Sequence, residues 1–166
     1  GLQEEIEKPV TWEASIKKLS DNTYEFTAIA NIKEKWHLPS QEPLPEGEIG
    51  PVPTEFEFET QGKEIRLIGE TSEPEGITER DPIFDVVLTY FKEKAVFKQK
   101  IKLDDPDQKM ITNIYFSVCD DEKCLPVDTK SFSIDFDKLA VESYSQEADE
   151  EDKQAVNELQ IPIDQS

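Results

Sequence analysis

The chain is poor in the residues that most often carry chemistry. Its 166 residues include one histidine, two cysteines and one methionine. With His37 as the sole imidazole and no partner near it in sequence, a hydrolytic triad has little to stand on. GxSxG, HExxH and glycine-rich phosphate loops are absent too. Positive charge is also scarce: 18 Lys and Arg stand against 38 Asp and Glu, a formal charge of −20. Phosphate backbones are bound by displacing counterions with Lys and Arg, so nucleic-acid binding is excluded and anionic membrane surfaces are disfavoured. No apolar run reaches the ~18 residues that a membrane span requires, and none resembles a signal peptide's apolar region. Gly1 reads as the remnant of a removed tag, so the natural protein is expected to begin upstream, and the missing leader or anchor says little about it.

What remains is enough for one domain with a modest core, 36% hydrophobic and 34% charged. Period-two alternation dominates. Tyr24, Phe26, Ala28, Ala30 and Ile32 fall on one face of YEFTAIANI, and Phe56 and Phe58 alternate with glutamates in TEFEFET. Ala95, Phe97, Ile101 and Leu103 share a face of AVFKQKIKL; Ile114, Phe116 and Val118 share one of NIYFSV; Phe132, Ile134 and Phe136 share one of SFSIDF. Shorter strands are expected at Thr11–Ile16, Ile65–Ile68 and Val86–Tyr90, separated by turns such as Ser20-Asp21-Asn22 and Gln61-Gly62-Lys63. About eight short strands without a helical stripe predict an all-β, immunoglobulin-like antiparallel β-sandwich. The proline-rich Pro39–Pro53 segment is expected to be a long ordered loop. Residues 1–8 form an N-terminal extension, 9–139 the domain, and 140–166 an acidic tail, mostly irregular, with a short helix between about Glu147 and Leu159. That tail carries −7 of the total charge, leaving −13 for the preceding 139 residues.

Cys119 and Cys124 sit in VCDDEKCLPV, and the residues alone leave three readings open. The first is a plain structural disulfide in an exported, non-catalytic binding or adhesion module. Closing so short a loop restrains the unfolded chain by only about 2 kcal/mol, and both cysteines lie at one strand end where little needs stapling. The second is a redox pair. If the strand from Asn113 ran on to Cys119, alternation would put Cys119 on the less apolar face with Tyr115 and Ser117, within a partner's reach. Asp120, Asp121 and Glu122 disfavour a thiolate at Cys119, whereas Lys123 favours one at Cys124, which points to Cys124 as the attacking sulfur. The third is zinc held by Cys119, Cys124 and His37, which falls short of four protein ligands without a carboxylate. The acidic clusters Asp104-Asp105-Asp107 and Asp120-Asp121-Glu122 lack the EF-hand pattern and read as solvated turns.

The segment IYFSVCDDEKCLPV resembles the cysteine motif of the N-terminal periplasmic domain of DsbD, the membrane thiol:disulfide interchange protein family also tied to cytochrome c biogenesis. PVTWEASIKKL, KEKWHLPSQ, GPVPTEFEF, ERDPIFDVVLTYF and AVFKQKIKL follow in the family's order, so the resemblance runs from Pro9 to Lys138. It implies an immunoglobulin-like sandwich carrying a redox disulfide, needing no metal or organic cofactor. Such a domain receives electrons from a thioredoxin-like domain of the same protein through a membrane-embedded domain. It passes them to periplasmic thioredoxin-fold clients, such as disulfide isomerases and cytochrome c maturation proteins. The resemblance further implies a location on the periplasmic side of a bacterial inner membrane, anchorage through regions outside this sequence, and a monomeric isolated domain. By the family's pattern Cys124 forms the mixed disulfides and Cys119 resolves them. The cap loop that shields the pair in this family maps to RDPIFD, with Asp81 and Phe84 as its acidic and aromatic members and Ile83 beside them. Trp36 and His37 fall where the family has aromatic residues near the active site. The chain departs from the family in having one residue fewer between its cysteines, Leu125-Pro126-Val127 in place of a proline pair, and Pro39 at a position where an aromatic is common.

Overall fold

A computed structural model describes residues 8–145. Eleven strands, all paired antiparallel, make up three sheets, and the described residues contain no helix. Among the described residues, therefore, no helix is long and apolar enough to cross a membrane. The first sheet consists of β1 (Val10–Ser20), β2 (Thr23–Ile32), β8 (Lys94–Leu103) and β5 (Ile65–Ser72), in the order β1-β2-β8-β5. The second consists of β11 (Ala140–Tyr144), β10 (Asp128–Asp135), β9 (Lys109–Phe116) and β4 (Glu55–Phe58), in the order β11-β10-β9-β4. A third, small sheet orders β3 (Leu38–Pro39), β7 (Val87–Phe91) and β6 (Ile77–Arg80) as β3-β7-β6.

The two larger sheets bury the faces that the alternation marked out. Along β2 every second residue is buried, and the buried set is Tyr24, Phe26, Ala28, Ala30 and Ile32. Aromatic pairs bridge the sheets: Tyr24 meets Phe136 at 5.2 Å between ring centroids, Trp12 meets Phe116 at 5.4 Å, and Phe56 meets Phe97 at 5.0 Å. Trp36 is partly buried and packs against this core. One polar residue, Gln99, shares the buried face of β8. Its amide nitrogen donates to the carbonyls of Gly69 and Lys100, and its oxygen accepts from the Thr71 hydroxyl. This fills the bulge where the β5 register shifts and Gly69 adopts φ 71°.

Two expectations need correction. Residues 140–144, expected to belong to an irregular tail, form β11, which pairs with β10 through Phe132↔Ser143 and its neighbours. The expected helix near Glu147–Leu159 lies outside the described residues. Cys119 does not continue β9 on its more polar face. The strand stops at Phe116, and Ser117, Val118 and Cys119 are all buried.

Candidate redox site

The site lies at the end of the sandwich where β1 and β8 begin and β2 and β9 finish. The segment KEKWH follows β2 through a tight turn, with Lys35 at φ 77° and the Trp36 amide donating to the Lys33 carbonyl. This delivers His37 beside Cys119, and the two residues exchange both backbone hydrogen bonds, at 2.8 and 3.1 Å. The next two residues, Leu38 and Pro39, pair with Phe91 and Tyr90 of β7. A single short strand thus joins the cysteine loop on one side to the β6–β7 hairpin on the other.

Cys119 also pairs with Cys124 across a loop of residues 120–123. The hydrogen bonds that define this pair flank it: Asp120 N–H to the Lys123 carbonyl and Leu125 N–H to the Val118 carbonyl, each 2.9 Å. Neither cysteine bonds to the other through its backbone. In such a narrow antiparallel pair the side chains come closest, and here the Cα atoms are 4.0 Å apart and the sulfurs are joined. Asp120 shapes the loop, its Oδ1 accepting from the amides of Glu122 (2.8 Å) and Lys123 (2.7 Å). Those two bonds hold the Asp120 carboxyl below the usual carboxylate range.

The two sulfurs have different surroundings. Cys119 is 0% exposed, enclosed between His37 and Cys124, so the expected access to Cys119 is not found. Cys124 is half-buried, and Lys123 beside it is exposed. His37 is 5% exposed and its ring packs on Tyr90 at 4.5 Å between centroids. Burial is the main influence on its imidazole and lowers its pKa, while the carboxylates of Asp121, Asp81 and Asp120 pull the other way. His37 is therefore a neutral, packed ring at neutral pH.

Asp81 opens the turn of the β6–β7 hairpin. Its Oδ2 accepts from the amides of Ile83 (2.9 Å) and Phe84 (2.7 Å), and its own amide donates to the Val86 carbonyl. The carboxylate is 3% exposed, while Ile83 and Phe84 are half-buried. The turn closes the Val87 end of β7, while Leu38 pairs with Phe91 at its other end, and the Asp81 charge is one of those acting on His37. Gly76, just before β6, lets the hairpin close: a Cβ there would lie 2.8 Å from Thr89 Cγ2 and 2.9 Å from the Tyr90 carbonyl oxygen.

Of the residues singled out from sequence, the structure brings Cys119, Cys124 and His37 into one strand ladder, with Asp81 close enough to influence His37. Lys123 belongs to the loop, and Ile83 and Phe84 to the hairpin turn. Two residues escaped the sequence reading. Tyr90 stacks on His37 and donates its hydroxyl hydrogen bond to Glu79 across the hairpin. Burial first, and then the Glu79 carboxylate, raise the Tyr90 pKa far above its ordinary value. A tyrosine near the end of the short strand expected at Val86–Tyr90 was the available signal. Among the described residues no group of three or more His, Cys, Asp or Glu is arranged to hold a metal ion.

An immunoglobulin-like sandwich whose end carries a disulfide closed on a short acidic loop is a fold suited to thiol–disulfide exchange. The family described as "Thiol:disulfide interchange protein DsbD, N-terminal" matches residues 7–135, and the chain belongs to that family. Two solved structures share the fold. The N-terminal periplasmic domain of ScsB from Proteus mirabilis matches with a TM-score of 0.58 at 14% identity, covering 80% of this chain and 48% of that one. The chain thus spans about half the length of that relative. The reduced N-terminal domain of DsbD from Neisseria meningitidis matches with a TM-score of 0.54 at 12% identity, covering 84% of this chain and 93% of that one. Comparison with curated protein sequences gives no match.

Proposed function

We propose that the domain is a periplasmic electron-transfer module acting through the Cys119–Cys124 pair. A donor dithiol, in the full-length protein a thioredoxin-like domain supplied through a membrane-embedded reductase, attacks Cys124 and releases the Cys119 thiolate. The donor's second thiol then resolves the mixed disulfide. The donor leaves as a disulfide, and the pair gains two electrons and two protons. In the second half, the Cys124 thiolate attacks the disulfide of a thioredoxin-fold client and expels one client cysteine. The Cys119 thiolate then attacks the Cys124 sulfur, restores the disulfide, and frees the client's second cysteine, leaving the client reduced.

The observation that carries these roles is the asymmetry of burial: a half-buried Cys124 at a sheet edge beside a wholly buried Cys119. Attack from outside must fall on the sulfur that a partner reaches, and the enclosed sulfur is left to resolve. The Asp81-braced turn with Ile83 and Phe84 acts as the cap that protects the dithiol from other oxidants. His37 packs behind the pair and Lys123 favours the Cys124 thiolate. Residues 9–139 with β11 constitute the redox unit, and the acidic stretch after it serves as a spacer toward the membrane region.

The test is to mix each single-cysteine variant, reduced, with an oxidised thioredoxin-fold protein. Cys119→Ser is expected to accumulate a mixed disulfide and Cys124→Ser none; the reverse pattern would overturn the assignment. A reduction potential below about −300 mV would mark the bond as an inert staple instead.

A further inference from the structure

The backbone around Cys124 has a feature that the exchange chemistry does not require. Cys119 gives both its amide and its carbonyl to His37. In an antiparallel ladder successive residues direct these groups to opposite sides, so Cys124, paired narrowly with Cys119, turns its amide and carbonyl outward. Among the described residues neither group has a hydrogen-bond partner. Leu125, by contrast, is turned inward: its amide bonds to Val118 and its carbonyl accepts from the Ser117 hydroxyl. Pro126 follows with no N–H. The ladder therefore ends in a free edge of one residue, at the cysteine that a partner's sulfur must reach.

An apolar groove of about 280 Å³ borders this edge, lined by Val10, Phe116, Val118, Leu125 and Pro126. Its two charged members, Lys8 and Asp128, offset each other, which sets it apart from the acidic Asp120–Glu122 loop nearby. Side chains alternate across a strand, so Leu125 faces the groove while Cys124 faces the other way, toward Cys119. A strand added to the edge would obey the same alternation. Its residue opposite Cys124 would lie on the disulfide side, and the next residue would fall over the groove.

We infer that the free backbone of Cys124 and the Val10–Phe116–Val118–Leu125–Pro126 groove form one docking strip. Its occupant is an extended segment flanking the reactive disulfide of the thioredoxin-fold partner. The segment exchanges two main-chain hydrogen bonds with Cys124 and seats an apolar side chain in the groove. Pro126 stops the added ladder after this contact, so the complex is short and releases readily. The inference rests on the exchange reading above, because only a partner that must reach Cys124 has cause to lie along this edge.

The experiment uses the 166-residue chain, oxidised thioredoxin as the protein disulfide and oxidised glutathione as the small one. Replacing Leu125 by Glu is expected to lower the rate of thioredoxin reduction, relative to glutathione reduction, by about tenfold or more, the loss typical of a buried apolar contact. An unchanged ratio overturns the groove's role. In a second measurement the mixed disulfide of Cys119→Ser with thioredoxin is trapped, and hydrogen exchange at the Cys124 amide is compared with that of free Cys119→Ser. Slowing by about tenfold or more supports the main-chain pairing, and equal rates overturn it. This measurement alone decides the proposal if Leu125→Glu fails to fold. If the wild-type chain reduces glutathione but not thioredoxin, the exchange reading itself fails and the docking strip falls with it.

Discussion

The β6–β7 hairpin turn, proposed above as the cap of the cysteine pair, hangs on one carboxylate, which makes it the most informative place to perturb. Asp81 Oδ2 accepts the amides of Ile83 and Phe84, at 2.9 and 2.7 Å, from a position that is 3% exposed. Hydrogen bonds to a charged acceptor are worth about 1.5–3 kcal/mol each, and half-buried donors regain part of that from water. Taking the lower figure for each, Asp81→Ala costs the closed turn about 3 kcal/mol, a shift of about 100-fold in its open-to-closed ratio. Asp81→Asn keeps an acceptor oxygen and loses only the charge assistance, so a shift nearer tenfold is expected. Hydrogen exchange at the Ile83 and Phe84 amides reads the opening directly. Stopped-flow reduction of the disulfide by dithiothreitol reads its effect on access. The turn caps the pair if both rates are fastest in Asp81→Ala, slower in Asp81→Asn and slowest in wild type. Faster amide exchange with an unchanged reduction rate would mean that the turn opens without governing the sulfurs. Unchanged amide exchange would refute the energetic argument itself.

Two further outcomes follow from the same neighbourhood. His37 is held neutral by burial, so its folded pKa lies below the unfolded value of about 6.5. Between those values the unfolded chain binds the extra proton. Its contribution to stability is therefore complete above about pH 6.5 and declines as pH falls toward the folded pKa. Urea titrations of wild type against His37→Gln should show a steeper acid loss for wild type as pH falls below about 6.5, and parallel curves would refute it. At the base of the hairpin, Gly76→Ala drives a methyl group toward Thr89, Phe91 and the Tyr90 carbonyl, the last of which is backbone. A loss of about 1–3 kcal/mol in chemical denaturation is expected, and a neutral result would show that β6 shifts freely against β7.

The larger part of the sandwich was legible because its strands bury one face. In β2, β8 and β10 the apolar alternation names most of the core residues, the exceptions being Gln99, which plugs a bulge, and the buried Ser131. The strands that escaped notice lack that signal for physical reasons. All four residues of β6 are exposed, β3 is two residues long beside a proline-rich loop, and β11 is an edge strand with no fully buried residue. They are held by backbone pairing, which composition does not reveal. The site was half legible. The cysteine pair, Lys123 and the lone His37 stood out from the residues alone, whereas Asp81, Ile83 and Phe84 were singled out only through the family resemblance. Access was misjudged because alternation was carried past Phe116, where the chain leaves its sheet and enters a second ladder enclosed on both sides. Tyr90 was hidden because its role comes from contact with His37, 53 positions away in sequence, across the β3–β7 pairing.

The bond between the cysteines joins two residues that the backbone already holds together. The Asp120–Lys123 and Val118–Leu125 hydrogen bonds and the Asp120-capped turn do not depend on the sulfur–sulfur bond and are expected to persist when it is cut. The two thiols therefore face each other at a high effective concentration, fixed by the ladder rather than by diffusion. In the proposed exchange, a mixed disulfide formed at Cys124 would then have its resolving thiol already in place beside it. On that proposal, a short-lived covalent complex would let one small domain serve several clients in turn without holding any of them.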